Sequence, residues 1–239
     1  MEWIFLSIAF FAEVAGTIAG FGSSTIALPL ALFLFDFQTA LVLVAFLHIF
    51  GNIGRIGFFR HGLDKGLLLR FGVPSIALTL VGALLVQSVP QDILKMILGV
   101  FLILYVFWAW TGKRTVTPSL TTSVIGGGVS GFFAGLIGTG GALRAAFLTS
   151  FHLSKERYIA TAATIALMVD ITRLPVYLAG GFLSPEHSRM IPVLLVVALV
   201  GTYVGKIIVR NVPQMLFRHV VLVAIGSIGV KFIIDFIGT

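Results

Sequence analysis

Cysteine is absent from this chain, which rules out disulfides, thiolate metal sites and cysteine nucleophiles. Charge is scarce as well: Asp, Glu, Lys and Arg make up 10% of the 239 residues, where a soluble domain carries about 25%. There is no Walker loop, so ATP does not drive this protein. There is also no His-Glu-x-x-His and no cluster of residues at metal-ligand spacing. Long polar stretches are missing, and with them any room for a soluble domain. What remains is apolar: 58% of residues are hydrophobic and mean hydropathy is +1.10. The chain reads as a single all-α polytopic membrane domain in a lipid bilayer.

The net charge of +7 is no nucleic-acid footprint. Much of it sits in short loops, at Arg60 and Lys65, Lys113 and Arg114, Lys155 and Arg157, and Arg210. That distribution is positive-inside topology and needs no polyanion. No cleavage pattern is evident at Met1-Glu2-Trp3, so the first apolar segment reads as its own uncleaved signal.

The chain is written twice. At a spacing of 118 residues, Gly20 and Gly22 recur as Gly138 and Gly140, Asn52 and Arg55 as Asp170 and Arg173, and Pro74 as Pro192. After a short slip, Val89-Pro90-Gln91 recurs as Val212-Pro213-Gln214, with Lys95 matched by Arg218. Ten apolar segments follow, five per half. They lie at 3–19, 23–35, 38–59, 66–88 and 91–110, then 122–137, 141–151, 156–179, 188–209 and 214–236. Spanning takes about 20 residues, and the first two segments of each half fall short of it. They meet at Gly-rich turns, Gly20-Phe21-Gly22-Ser23-Ser24 and Gly138-Thr139-Gly140-Gly141-Ala142.

Loop charge sets the orientation. Loops 60–65, 111–119 and 152–157 and the stretch 206–210 are basic and go inside, while 87–92 and 180–188 go outside. Equivalent loops therefore face opposite sides, and the repeats are inverted. The expected architecture is a first repeat over 1–110, a cytoplasmic linker over 111–121 and a second repeat over 122–239. Each repeat is a broken-helix hairpin, 1–35 or 122–151, followed by three transmembrane helices. Both termini fall outside. Paired Gly-interrupted segments in a doubled membrane protein are the signature of a secondary transporter with its site near the midplane.

Non-helical backbone at membrane depth must be buried in protein or line a wet cavity. A helix that starts there offers unpaired N–H groups and a positive dipole end, which suits an anion. Gly20, Gly22, Gly138, Gly140 and Gly141 let a ligand approach, and Ser23, Ser24, Thr25 and Thr139 add hydroxyls. Tight helix packing is the competing reading for a single turn. A matched pair of turns favours binding. Arg55, Arg144, Asp170 and Arg173 lie in or near apolar segments, where an arginine costs about 2.5–3.5 kcal/mol. Asn52 and Arg55, like Asp170 and Arg173, are three residues apart and share a helix face. Asp170 and Arg173 read either as a self-neutralising pair or as a proton-released switch, and Arg55 either as a ligand or as a snorkelling residue. Glu13 is a proton carrier or a cap toward the outer surface. His48 is a proton relay or a helix-contact hydrogen bonder. Asp36 and His152 read as loop or interface residues, and Tyr105, Trp108 and Trp110 as an interfacial belt.

The paired turns, each after an Ala-Gly-rich short helix, together with the length and doubled layout, resemble the TauE/SafE family of sulfite exporters over essentially the whole chain. The resemblance implies an inner-membrane permease for sulfite, sulfonates or related small oxyanions, with proton linkage as the expected mechanism. No cofactor is expected, and a homodimer is the candidate assembly. In that family a proline often follows each turn. Pro29 takes that place here in the first half and Phe147 in the second. Ser23-Ser24 stand where more glycine is common, and Arg144 where an apolar residue is usual. The expected function is therefore secondary transport of a sulfur oxyanion bound between the two turns, not catalysis. A passive channel of the same fold is one alternative. An intramembrane hydrolase with Ser23 or Ser24 as nucleophile and His48 as base is another.

Overall fold

The structure is a computed structural model and describes residues 1–20, 22–59, 62–111, 117–208 and 214–238, the side chains of 214–220 excepted. Phe21, Arg60, Lys113, Arg114, Arg210, Val212-Pro213 and the Arg218 side chain, all used above, lie outside the described residues. Ten helices match the ten apolar segments: α1 (Glu2–Ala19), α2 (Ser24–Ala31), α3 (Phe37–Phe58), α4 (Lys65–Ser88), α5 (Gln91–Thr111), α6 (Leu120–Ile137), α7 (Gly141–Leu148), α8 (Lys155–Ala179), α9 (Ile191–Ile208) and α10 (Gln214–Ile237). No strand occurs among the described residues. Among the described residues, seven helices, α1, α3, α4, α5, α6, α8 and α9, are long and apolar enough to cross a membrane, so the expectation that the first segment of each half falls short of spanning is corrected: α1 and α6 reach 18 residues each. The chain is a multi-pass membrane protein.

Local chemistry sets the helix ends. Asp36 caps α3 by accepting from the Gln38 and Thr39 N–H groups. Ser119 does the same for α6 through Thr122. The segment expected over 188–209 divides at its start: a separate turn at Pro185–Ser188 precedes α9, whose second residue is Pro192, a position where a missing N–H costs nothing. Within α4 the ladder widens to a π-type turn over Leu68–Gly72 just before Pro74, which has no N–H to offer its own i−4 carbonyl. α1 and α6 both stop at a left-handed glycine, Gly20 at φ 78° and Gly138 at φ 72°, as helix C-termini commonly do. The short α2 and α7, eight residues each, then turn back into the protein.

Small residues let the hairpins pack closely. Along α6, Gly127, Gly131 and Gly135 face α4 so closely that an added Cβ would fall on the carbonyl oxygens of Phe71, Ser75 and Thr79. Ser75 and Thr79 donate across that contact to the Gly127 and Gly131 carbonyls, at 2.9 and 3.0 Å. On the other side of the molecule the glycines belong to α9 instead. Gly201 and Gly205 face Glu13 and Thr17 of α1, where a Cβ would come within 2.8 Å of either side chain.

The halves pack reciprocally. α1 lies on α9 as α6 lies on α4, α3 lies on α9 as α8 lies on α4, α3 meets α8, and α5 meets α10. The pattern breaks at the short helices. α2 packs against α10, with Phe33 beside Phe232 (ring centroids 6.2 Å apart) and Lys231 over Phe33. Between α7 and α5 there is instead an apolar cleft of about 570 Å³, whose lining includes Val100, Leu104, Trp108, Phe133, Leu143 and Phe147.

Candidate functional site

The site forms where α3 crosses α8. Asn52 and Arg55 share one face of α3, Asp170 and Arg173 one face of α8, and the two faces meet. Arg173 grips Asp170 through Nε (2.9 Å) and Nη2 (2.8 Å) and donates through Nη1 to the Ala134 carbonyl at 2.7 Å. The Asn52 amide bridges the halves. Its Oδ1 accepts from Arg55 Nη1 at 2.8 Å and its Nδ2 donates to Asp170 Oδ2 at 3.4 Å. Two repeat mates, Asn52 and Asp170, are thus direct neighbours.

α1 supplies the counter-charge for Arg55. Glu13, fully buried, accepts from Arg55 Nη2 at 2.5 Å, from Thr202 of α9 at 3.2 Å and from the Ser23 hydroxyl. Thr17, one turn along α1, accepts from Arg55 Nε at 3.2 Å. A Cβ at Gly51 would fall on the Glu13 carboxylate, so glycines on α3 and α9 make the space it occupies. In the second half the positions of Glu13 and Thr17 are Gly131 and Gly135, closed against α4. The polar space is therefore one-sided.

That space is a cavity of about 20 Å³, lined by Gly16, Thr17, Gly20 and Gly22 of the first hairpin, His48, Asn52 and Arg55 of α3, Arg144 of α7, and an apolar wall of Ile159, Ala162, Ala163 and Ala166. The volume is about that of one water molecule. Two of its groups stand out. Arg144 is only 5% exposed, and its guanidinium has no hydrogen-bond or ion-pair partner among the described residues. His48 bonds through Nδ1 to Asp170 Oδ2 at 2.8 Å, and its Nε2 faces the first turn. Three guanidiniums, Arg55, Arg144 and Arg173, accompany two carboxylates, Glu13 and Asp170. The buried cluster carries one unmatched positive charge, which is costly in a low-dielectric interior unless an anion joins it.

Not every expected residue lines this cavity. The two turns touch through Thr25 and Thr139, whose hydroxyls are 2.9 Å apart. Ser23 is engaged by Glu13, and Gly140 is packed against the Ser130 carbonyl. Ser24, Gly138, Gly141 and Arg173 do not line the cavity. The nucleophile–base contact of the hydrolase reading is not made, since His48 Nε2 has no hydrogen-bond partner among the described residues. No three-residue group able to hold a metal occurs among them either. Three polar residues of the site had not been singled out from the sequence. Thr17 follows Glu13 by one helical turn, a spacing that marks a shared face. Thr202 follows directly on Gly201 of a Gly-x-x-x-Gly pair. Tyr158, which donates to the Gly20 carbonyl at 3.3 Å, left no such signal.

Compared with known proteins, residues 5–232 match the family model described as sulfite exporter TauE/SafE. No curated protein and no solved structure gives a significant match.

Proposed function

The chain belongs to the TauE/SafE family of sulfite exporters, and on that premise we propose that it is a secondary transporter which binds a small sulfur oxyanion in the cavity between α3, α7 and the first Gly turn. The observation that carries this reading is Arg144, a buried arginine whose guanidinium has no hydrogen-bond or ion-pair partner among the described residues, in a cluster already short of negative charge. Arg144 supplies the charge that holds the anion. Asn52 and Arg55 form the floor, held in place by Glu13, Thr17 and Asp170, while Gly20 and Gly22 admit the ligand to the backbone. Thr25 and Thr139 tie the two turns together, Ser23 ties the first turn to Glu13, and Ser24, Gly138, Gly140, Gly141 and Arg173 frame the turns.

Proton-linked export by alternating access is the mechanism that fits this arrangement. The two halves are inverted repeats that rock about the α3–α8 crossing, with both termini outside the inner membrane. Asp170, His48 and Glu13 are the groups available to exchange protons. A cavity with room for about one water cannot hold an oxyanion as it stands, so the hairpins must part to load it. An occluded site of this kind is what a carrier needs and what an open channel lacks.

The test is sulfite flux into proteoliposomes, with and without an imposed pH gradient, for the wild type and Arg144→Ala. Saturable, gradient-sensitive flux that disappears in the variant is the expected outcome. Undiminished flux in Arg144→Ala removes the arginine from the site. Flux that rises linearly with sulfite and ignores the gradient replaces the carrier by a channel.

A further inference from the structure

We propose that the cavity is built for an oxyanion carrying one proton, and that His48 Nε2 accepts the hydrogen bond from the ligand's O–H. This rests on the anion-carrier reading above and narrows its substrate class. Among the described residues, Nε2 is the one buried side-chain nitrogen or oxygen without a hydrogen-bond partner. His48 is 3% exposed and lines the cavity, and its Nε2 would be 2.6 Å from a Cβ on Gly22. Buried polar atoms are almost always paired, and an orphan one calls for a ligand or water.

The hydrogen bonds around His48 decide what Nε2 offers. Asp170 Oδ1 takes a hydrogen bond from Arg173 Nε and an ion-pair contact from its Nη2, while Oδ2 takes the His48 Nδ1 contact at 2.8 Å and the Asn52 amide. A carboxylate gripped by a guanidinium is ionised and can only accept. The hydrogen of the Nδ1 contact is therefore on His48. In the neutral ring this leaves a lone pair on Nε2. The charged and titratable groups around the ring are Asp170, Arg173 and Tyr158 on α8, Arg55 on α3, Glu13 on α1 and Arg144 on α7. A second proton on His48 would add a fourth cation opposite two carboxylates. Nε2 is thus an acceptor, set in a cavity whose free charged group, Arg144, is a donor.

A ligand that satisfies both must present a negative oxygen to Arg144 and a hydrogen to Nε2. A hydrogen oxyanion does so. Sulfite titrates near neutral pH between singly and doubly charged anions, and its hydrogen form fits. An organic sulfonate has three accepting oxygens and no O–H. It would leave Nε2 unpaired and bring an oxygen lone pair against it. Sites that bond a ligand O–H discriminate strongly against analogues lacking it, because the buried partner is stranded.

The experiment is calorimetric titration of the purified full-length chain with two probes, hydrogen selenite, whose proton is on oxygen, and methanesulfonate, which has none. The chain has no thiol for selenite to attack. The wild type is expected to favour hydrogen selenite by at least about tenfold. His48→Gln, whose amide can turn an N–H into the cavity, should bring the ratio to about one. Asp170→Asn should move it the same way, because an amide donor at Nδ1 transfers the ring hydrogen to Nε2. Equal wild-type affinity for the two anions, or a preference that persists in both variants, overturns the acceptor role and leaves the anion site standing. Binding of neither anion overturns the anion-carrier reading itself, and this inference with it.

Discussion

Gly22 combines two constraints that can be separated by experiment. Its φ of 87° is in the left-handed region, which costs a side-chain-bearing residue roughly 1–2 kcal/mol, and a Cβ there would press within 2.6 Å of His48 Nε2. Gly20 has a similar φ of 78°, but its nearest neighbour would be a Tyr158 ring carbon at 3.4 Å, an ordinary contact. Gly20→Ala should therefore lose thermal stability through its backbone alone, and Gly22→Ala through its backbone and the displaced His48 ring. Both glycines line the cavity, but Gly22→Ala should lose transport further than Gly20→Ala, by about tenfold or more per folded molecule, the equivalent of about 1.4 kcal/mol at the site. Equal flux in the two variants would deny the His48 edge a part in binding. At this level the sequence was legible in residue type and not in partnership. Glu13, His48, Asn52, Arg55, Arg144, Asp170 and Arg173 announce themselves as polar groups in apolar runs. Their pairings join residues 42 apart (Glu13 and Arg55), 122 apart (His48 and Asp170) and 189 apart (Glu13 and Thr202). No periodicity within a segment reaches that far. Glu13 had nothing basic near it in sequence, yet it forms a buried ion pair with Arg55.

The two hairpins are held by different devices, and magnitudes separate them. On the α4–α6 contact the Ser75 and Thr79 hydroxyls bond to the facing helix, but hydrogen bonds of this kind between membrane helices average about 0.6 kcal/mol. Close packing on Gly127, Gly131 and Gly135 is the larger contribution, since overpacking such a contact costs about 1–3 kcal/mol or more. Ser75→Ala should barely shift thermal unfolding followed by fluorescence-detected size exclusion, while Gly131→Leu should lower the midpoint markedly or abolish the monodisperse peak. The reverse ranking would assign the contact to its hydrogen bonds. Helix number, the broken hairpins and their glycine turns were legible in the apolar runs, because each is a local property of chain length and turn chemistry. Which helix bears the glycines was not. α6 carries its own, whereas α1 borrows those of α9, and that exchange gives Glu13 room to reach Arg55 and Thr17 room to reach the cavity.

Across the whole molecule, the reciprocal packing of the halves breaks at the short helices, where α2 meets α10 but α7 faces α5 across an open cleft. Rocking of the halves would exchange these arrangements, so that α7 closes on α5 and α2 leaves α10. A chain without cysteine needs no background removal before thiol cross-linking. A short bifunctional thiol reagent bridging Phe33→Cys and Phe232→Cys should stop sulfite flux, and reduction should restore it. Flux that continues after complete bridging would remove α2 from the moving parts. The α3–α8 crossing has a consequence of another kind. Two separate half-length chains, paired face to face, would each set a residue against its own copy. An aspartate at this position would meet an aspartate, two like charges with nothing to donate between them. An asparagine would meet an asparagine and leave both arginines without a carboxylate on their own helix. Asn52 against Asp170 needs the two halves to differ, and only one continuous chain guarantees that every molecule contains one of each. Covalent duplication is thus itself part of the chemistry: it lets a single point of contact hold a donor on one side and an acceptor on the other.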